Sequence, residues 1–74
     1  MTQHLIAEML SRYAASTQGQ AFTVEDFRIW GRDRGLSTRQ PEGLIQSVFD
    51  EFVADGHLVV VHNPQGHTAY RKAA

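Results

Sequence analysis

The sequence predicts an α+β domain of three helices followed by a C-terminal β-hairpin. Two observations predict it. Up to Gly56 the apolar residues recur at three- and four-residue spacings, as they do in helices buried on one side. Beyond Gly56 that period disappears. His57-Leu58-Val59-Val60-Val61-His62 and His67-Thr68-Ala69-Tyr70-Arg71 read as strands, with Asn63-Pro64-Gln65-Gly66 as the turn between them. At 74 residues the chain makes one domain, 1–74, with a modest core.

The first helix is expected over residues 2–15. Leu5, Ile6, Met9, Leu10, Tyr13 and Ala14 cover one half of its wheel, and Gln3, Glu8, Ser11 and Arg12 cover the rest. Residues 16–20 form a polar connection, and Ala21-Phe22 has room for one extended bridge. Thr23-Val24-Glu25-Asp26 opens the second helix as a capping box, with Asp26 in the place where Glu is commoner. That helix should run from about 24 to 34 and stop at Gly35. Val24, Phe27, Trp30 and Gly31 share its inner side, while Arg28, Ile29 and Arg32 point outward. A glycine inside a helix costs about 1 kcal/mol against alanine. Close approach of another helix is the expected reason for Gly31.

The third helix organises the chain. Ser37 with Gln40 is a second capping-box pattern, Pro41 suits a first turn, and Gly56 suits a left-handed C-cap. Leu44, Ile45, Val48, Phe49, Phe52 and Val53 make its core face, and Arg39, Gly43, Gln46, Ser47, Asp50 and Ala54 its display face. In the hairpin, pairing His62 with His67 sets Val59 opposite Tyr70 and Val61 opposite Thr68. Leu58, Val60 and Ala69 then share the other face; if they fill the core, Val59, Val61 and Tyr70 form an exposed strip, the alternative being a sheet covered on both faces by the first helix or the tail.

Composition narrows the function classes. The formal charge is −1, so no basic field covers the whole molecule. Without cysteine there is neither a disulfide framework nor a thiolate metal site, which fits a reducing, cytoplasmic setting. The longest apolar run, residues 58–61, is far too short for a membrane span, and the first residues lack the charged and apolar regions of a signal peptide. No nucleophile stands at a readable spacing from a base and no glycine-rich phosphate loop is present, so an enzyme with a small-molecule substrate is not expected. His62 and His67 flank the turn, but two imidazoles make an incomplete zinc site; no metal and no cofactor is expected.

Helix, bridge, helix, short turn, helix and hairpin is the order of a winged helix-turn-helix domain, and the chain resembles that family over nearly its whole length. Trp30-Gly31, Gly35-Leu36 and Leu44 carry the resemblance: a small residue in the first helix of the pair, a glycine at the turn, an apolar residue after it and an apolar anchor beyond. The chain looks similar to small winged-helix proteins of phages and bacteria. Arg34 and Pro41 depart from the pattern, standing where aliphatic residues are usual, so Arg34 should snorkel at the helix end. The resemblance implies a recognition helix that meets base edges in a major groove, and a hairpin wing.

Two roles follow from these residues. One is a DNA-binding protein, a regulator or a phage or host accessory factor contacting double-stranded DNA. Arg28, Arg32, Arg34 and Arg39 crowd one basic stretch suited to phosphates. Ser37, Thr38, Arg39, Gln40, Gln46 and Ser47 can hydrogen-bond to bases or phosphates, Gly43 leaves room for close approach, and Arg71 and Lys72 end the wing strand. The other role is a protein-interaction module, or a homodimer, that meets its partner through Val59, Val61 and Tyr70. Charge separates them. Bases near the start of the third helix favour DNA, and acids along its exposed side favour protein. The expectation leans to DNA.

Overall fold

The computed structural model describes residues 3–36 and 43–73. Three helices, α1 (Gln3–Ser16), α2 (Val24–Arg32) and α3 (Leu44–Ala54), precede the strands β1 (Leu58–His62) and β2 (Thr68–Lys72). The expected α+β arrangement is therefore present, and the order is compatible with a winged-helix layout. No helix among the described residues is long and apolar enough to cross a membrane.

Helix α1 buries Ile6, Met9, Leu10 and Ala14. Leu5, expected on that side, is 40% exposed. Its last carbonyls are met by hydroxyls: Ser16 Oγ donates to the Tyr13 carbonyl at 2.7 Å and Thr17 Oγ1 to that of Ala14 at 2.8 Å. Helix α2 begins as its sequence predicts. The Asp26 N–H donates to Thr23 Oγ1 at 3.1 Å and the Thr23 N–H to Asp26 Oδ2 at 3.0 Å, satisfying two otherwise orphaned donors.

Past α2 the chain reverses at Gly35, whose φ of +95° lies in the left-handed region. The Leu36 N–H then closes on the Gly31 carbonyl at 2.8 Å, the wide loop typical of a glycine-terminated helix. This closure overturns the expected reason for Gly31. Its side is occupied not by another helix but by Leu36, which folds back onto it. Arg34 is exposed at the helix end as expected, donating to the Trp30 carbonyl at 3.0 Å with its guanidinium 4.5 Å from the Trp30 ring centre.

Helix α3 starts later than its sequence pattern predicts. Gly43 is the N-cap with φ +84°, a left-handed conformation that no helix interior accommodates. Gly43 is thus not part of a helical display face. The Ser37/Gln40 capping pattern and Pro41 lie outside the described residues. The far end agrees with expectation: Gly56 has φ +82°, and the His57 N–H closes on the Phe52 carbonyl at 2.8 Å. The His57 ring packs edge-on against Phe52 at 5.6 Å.

The strands pair antiparallel with Leu58 opposite Lys72, Val60 opposite Tyr70 and His62 opposite Thr68. The expected register, His62 with His67, is one residue off. Its cause is the turn. The Gly66 N–H donates to the Asn63 carbonyl at 2.9 Å and the Asn63 N–H to the His67 carbonyl at 3.0 Å, while Gly66 itself has φ +83°. This is a type I turn followed by a left-handed glycine, which uses three loop residues instead of four. Asn63 Oδ1 also accepts the N–H groups of Gln65 and His67. A one-residue slip exchanges the faces of a strand. Tyr70 therefore turns inward to 4% exposure instead of joining an exposed strip.

Phe22 adds a third partner to the sheet. Its N–H donates to the Tyr70 carbonyl at 2.8 Å and its carbonyl accepts the Tyr70 N–H at 2.7 Å, so β2 is central and β1 lies at the edge. The core fills the space between sheet and helices. Phe27, Phe49, Ile6, Leu10 and Val48 are fully buried. Phe49 links the helices to the sheet, with its ring 5.6 Å from that of Phe27 and 4.8 Å from that of Tyr70.

Candidate functional site

In a winged-helix layout the third helix and the hairpin would present the binding face. The outward side of α3 is polar and acidic: Gln46, Ser47, Asp50, Glu51 and Ala54 are exposed, and the helix holds no Lys or Arg. Gln46 is not free to scan a partner. Its amide nitrogen donates to Asp50 Oδ1 at 3.0 Å and to Tyr70 Oη at 2.9 Å, so both amide hydrogens are engaged. Glu51 accepts from the Gln3 side chain at 2.8 Å, which ties α3 to the start of α1. A recess of about 310 Å³ lies where the first turn of α2 meets Gln46 and the returning strand. Thr23, Val24, Glu25, Gln46, His67, Thr68 and Tyr70 line it, and its fixed charge is the Glu25 carboxylate.

The cations lie elsewhere. Arg28 and Arg32, one helical turn apart on α2, are both exposed, with Ile29 at 48% exposure between them in sequence. Arg28 makes no ion pair with Glu25 one turn earlier. Among the described residues the one ion pair is Arg12 with Glu8, at 2.9 Å. Arg71 is half-buried opposite Val59, and Lys72 is exposed opposite Leu58, at the root of the hairpin. Lys72 borders a second recess, of about 320 Å³, with Ser11, Ala14, Phe52, Gly56, His57 and Ala73. Helix α2 packs mainly on α1 and α3. Ser37, Thr38, Arg39 and Gln40, the expected leading contacts, lie outside the described residues.

The expected protein-binding strip is corrected in part. Val59 is 38% exposed, as expected, and Val61 is half-buried. Tyr70 is buried against Phe49, its hydroxyl spent on Gln46. Val60, expected in the core, is 42% exposed. It shares a face with Leu58 and Tyr70, but β1 is an edge strand and nothing described flanks it on the outer side. The alternation of β1 puts Val60 on the Leu58 face in either register, so its exposure comes from the open edge of the sheet and not from the turn.

Among the described residues no group of three or more His, Asp or Glu side chains is placed to hold a metal. His62 and His67 are exposed and, in the observed register, are not opposite one another. No family model matches the chain, and neither a curated protein nor a solved structure matches it.

Proposed function

We propose that this chain is a protein-interaction module on a winged-helix layout, meeting its partner through the edge of the hairpin around Val59 and Val60. One observation carries the reading: the helix that would have to enter a DNA groove carries no cation and turns Asp50 and Glu51 outward. A phosphate backbone repels that surface. Gly43 stands at the N-cap and so contributes nothing to the display face expected along α3.

The second reading is the DNA one, a regulator or phage or host accessory factor, and a specific observation favours it. Arg28 and Arg32 stand exposed without an ion-pair partner among the described residues, on the helix that leads toward Arg39 and Gln40 in sequence. Both readings place the protein in the cytoplasm, in keeping with a chain free of cysteine.

Titration of labelled duplex at ~50 mM and ~200 mM salt, together with site-specific photo-crosslinking, separates the two. The interaction reading expects no saturable duplex binding, and protein adducts from a crosslinker at position 60 but not at position 46. Saturable, salt-sensitive binding lost in Arg28→Ala/Arg32→Ala would replace it with the DNA reading.

A further inference from the structure

Antiparallel ladders alternate. One residue pair exchanges its N–H and C=O groups with the neighbouring strand, and the next pair points them away. In the hairpin the exchanging pairs are fixed at both ends. The Ala73 N–H donates to the His57 carbonyl at 3.0 Å, and the Asn63 N–H to the His67 carbonyl at 3.0 Å. Counting inward by twos, Val59 and Val61 spend their backbone groups on β2. Tyr70 confirms the phase, because its own N–H and carbonyl go to Phe22 and not to Val60. Leu58, Val60 and His62 therefore direct their N–H and C=O groups along the outer edge of β1, where nothing among the described residues meets them.

Natural edge strands are commonly blunted by lysine, proline, a bulge or an inward charge. β1 reads Leu58-Val59-Val60-Val61-His62 and has none of these residues. It is also symmetric in what it offers. Three outward-directed residues are centred on Val60. A second copy brought up antiparallel about a two-fold axis at Val60 would set Leu58 opposite His62 and Val60 opposite Val60 of the second copy. Every outward donor would then face an outward acceptor. The side chains match as well: Val59 falls beside Val61 of the second copy, and no fixed charge meets a like charge because the strand has none.

We infer that β1 is a strand-addition site whose occupant is a second copy of this chain, joining two hairpins into one continuous sheet. The inference rests on the interaction reading and names its partner. A five-residue strand spans only ~17 Å, and pairing along it alone covers less than the ~1,000 Å² expected of a stable interface. The dimer is accordingly weak and forms at high micromolar concentration.

Amide hydrogen exchange read residue by residue, at ~20 µM and ~1 mM, tests this together with sedimentation velocity. The expected result is dimer at the higher concentration, with protection of the Leu58, Val60 and His62 amides rising at least ~10-fold while Val59 and Val61 are already protected in the monomer. Val60→Lys, which puts a charge on the edge, should weaken dimerisation ~10-fold or more. Val60→Pro removes one outward N–H that the hairpin does not use and should do the same. If the proline variant fails to fold, the lysine variant decides. A monomer at ~1 mM, protection of the three amides that is independent of concentration, or a dimer indifferent to both substitutions would each overturn the inference. A monomer that still gives protein adducts from position 60 would leave the interaction reading standing.

Discussion

Gly31→Ala is a test in which helix propensity and packing predict opposite signs. Exposed in a helix interior, the substitution would stabilise by about 1 kcal/mol. Here a Cβ on Gly31 would lie 2.7 Å from Leu36 Cδ2 and 2.9 Å from Leu36 Cβ. The first contact can be relieved by rotating the leucine. The second cannot, because Cβ moves only with the backbone, and the Leu36 backbone is pinned by its hydrogen bond to the Gly31 carbonyl. Leu36 is 5% exposed and has no alternative seat in solvent without losing its burial. Overpacking of this kind costs roughly 1–3 kcal/mol. With the second contact placing it in the upper part of that range, the net effect is a loss of about 1–2 kcal/mol. For a domain this size that lowers Tm by about 5–15 °C, read by thermal melting followed by far-UV circular dichroism. In a Leu36→Gly background the Cδ2 and Cβ contacts are both gone, so Gly31→Ala should no longer destabilise there. A raised Tm for Gly31→Ala would refute the packing argument and with it the account of how α2 ends.

Two further outcomes follow from the start of α2 and from Tyr13. Thr23→Ala removes the acceptor for the Asp26 N–H and should cost about 1 kcal/mol, while Thr23→Ser should keep most of the stability; chemical denaturation measures both, and equal losses would remove the cap's role. The Tyr13 hydroxyl pKa is raised by burial, and secondarily by the Asp26 carboxylate. Folding thus favours its neutral form, so the associated stability is intact below the ordinary tyrosine value near 10 and is lost as pH rises through and beyond it. Tyr13→Phe should flatten the fall of Tm as pH rises through and above about 10, and an unchanged slope there would count against that burial.

The elements were legible where one local signal acts alone. The Thr23/Asp26 box starts α2 where its pattern says, and Gly56 ends α3 with its carbonyls closed as a left-handed glycine requires. Legibility failed where two local signals competed. Ser37, Gln40 and Pro41 spell a helix start, yet Gly43 adopts a positive φ and begins the helix at Leu44. The strands were legible by composition, but their pairing depended on a single backbone angle at Gly66. One slip there moved Tyr70 from an expected interface into the core, while Val60 is left outside by the open edge of β1. The candidate surfaces inherit that sensitivity: acids on α3 and arginines on α2 were readable as residues, but which edge of the hairpin lay open was not.

The bridge between Phe22 and Tyr70 also has a meaning in time. Helices form from neighbours in sequence and close quickly. This bridge joins points roughly 48 residues apart, and closing a loop of that length costs about 3.4 kcal/mol of chain entropy before any constant is added. Two hydrogen bonds contribute on the order of 1 kcal/mol each, so the remainder comes from the rings of Phe22 and Tyr70 settling against Phe49. Until Phe49 is in place on α3 there is little to hold the two ends together. Loop closure on this account sets the bridge after the meeting of the helices, and its Phe22 and Tyr70 amides are expected to be among the earlier ones to open in native-state hydrogen exchange.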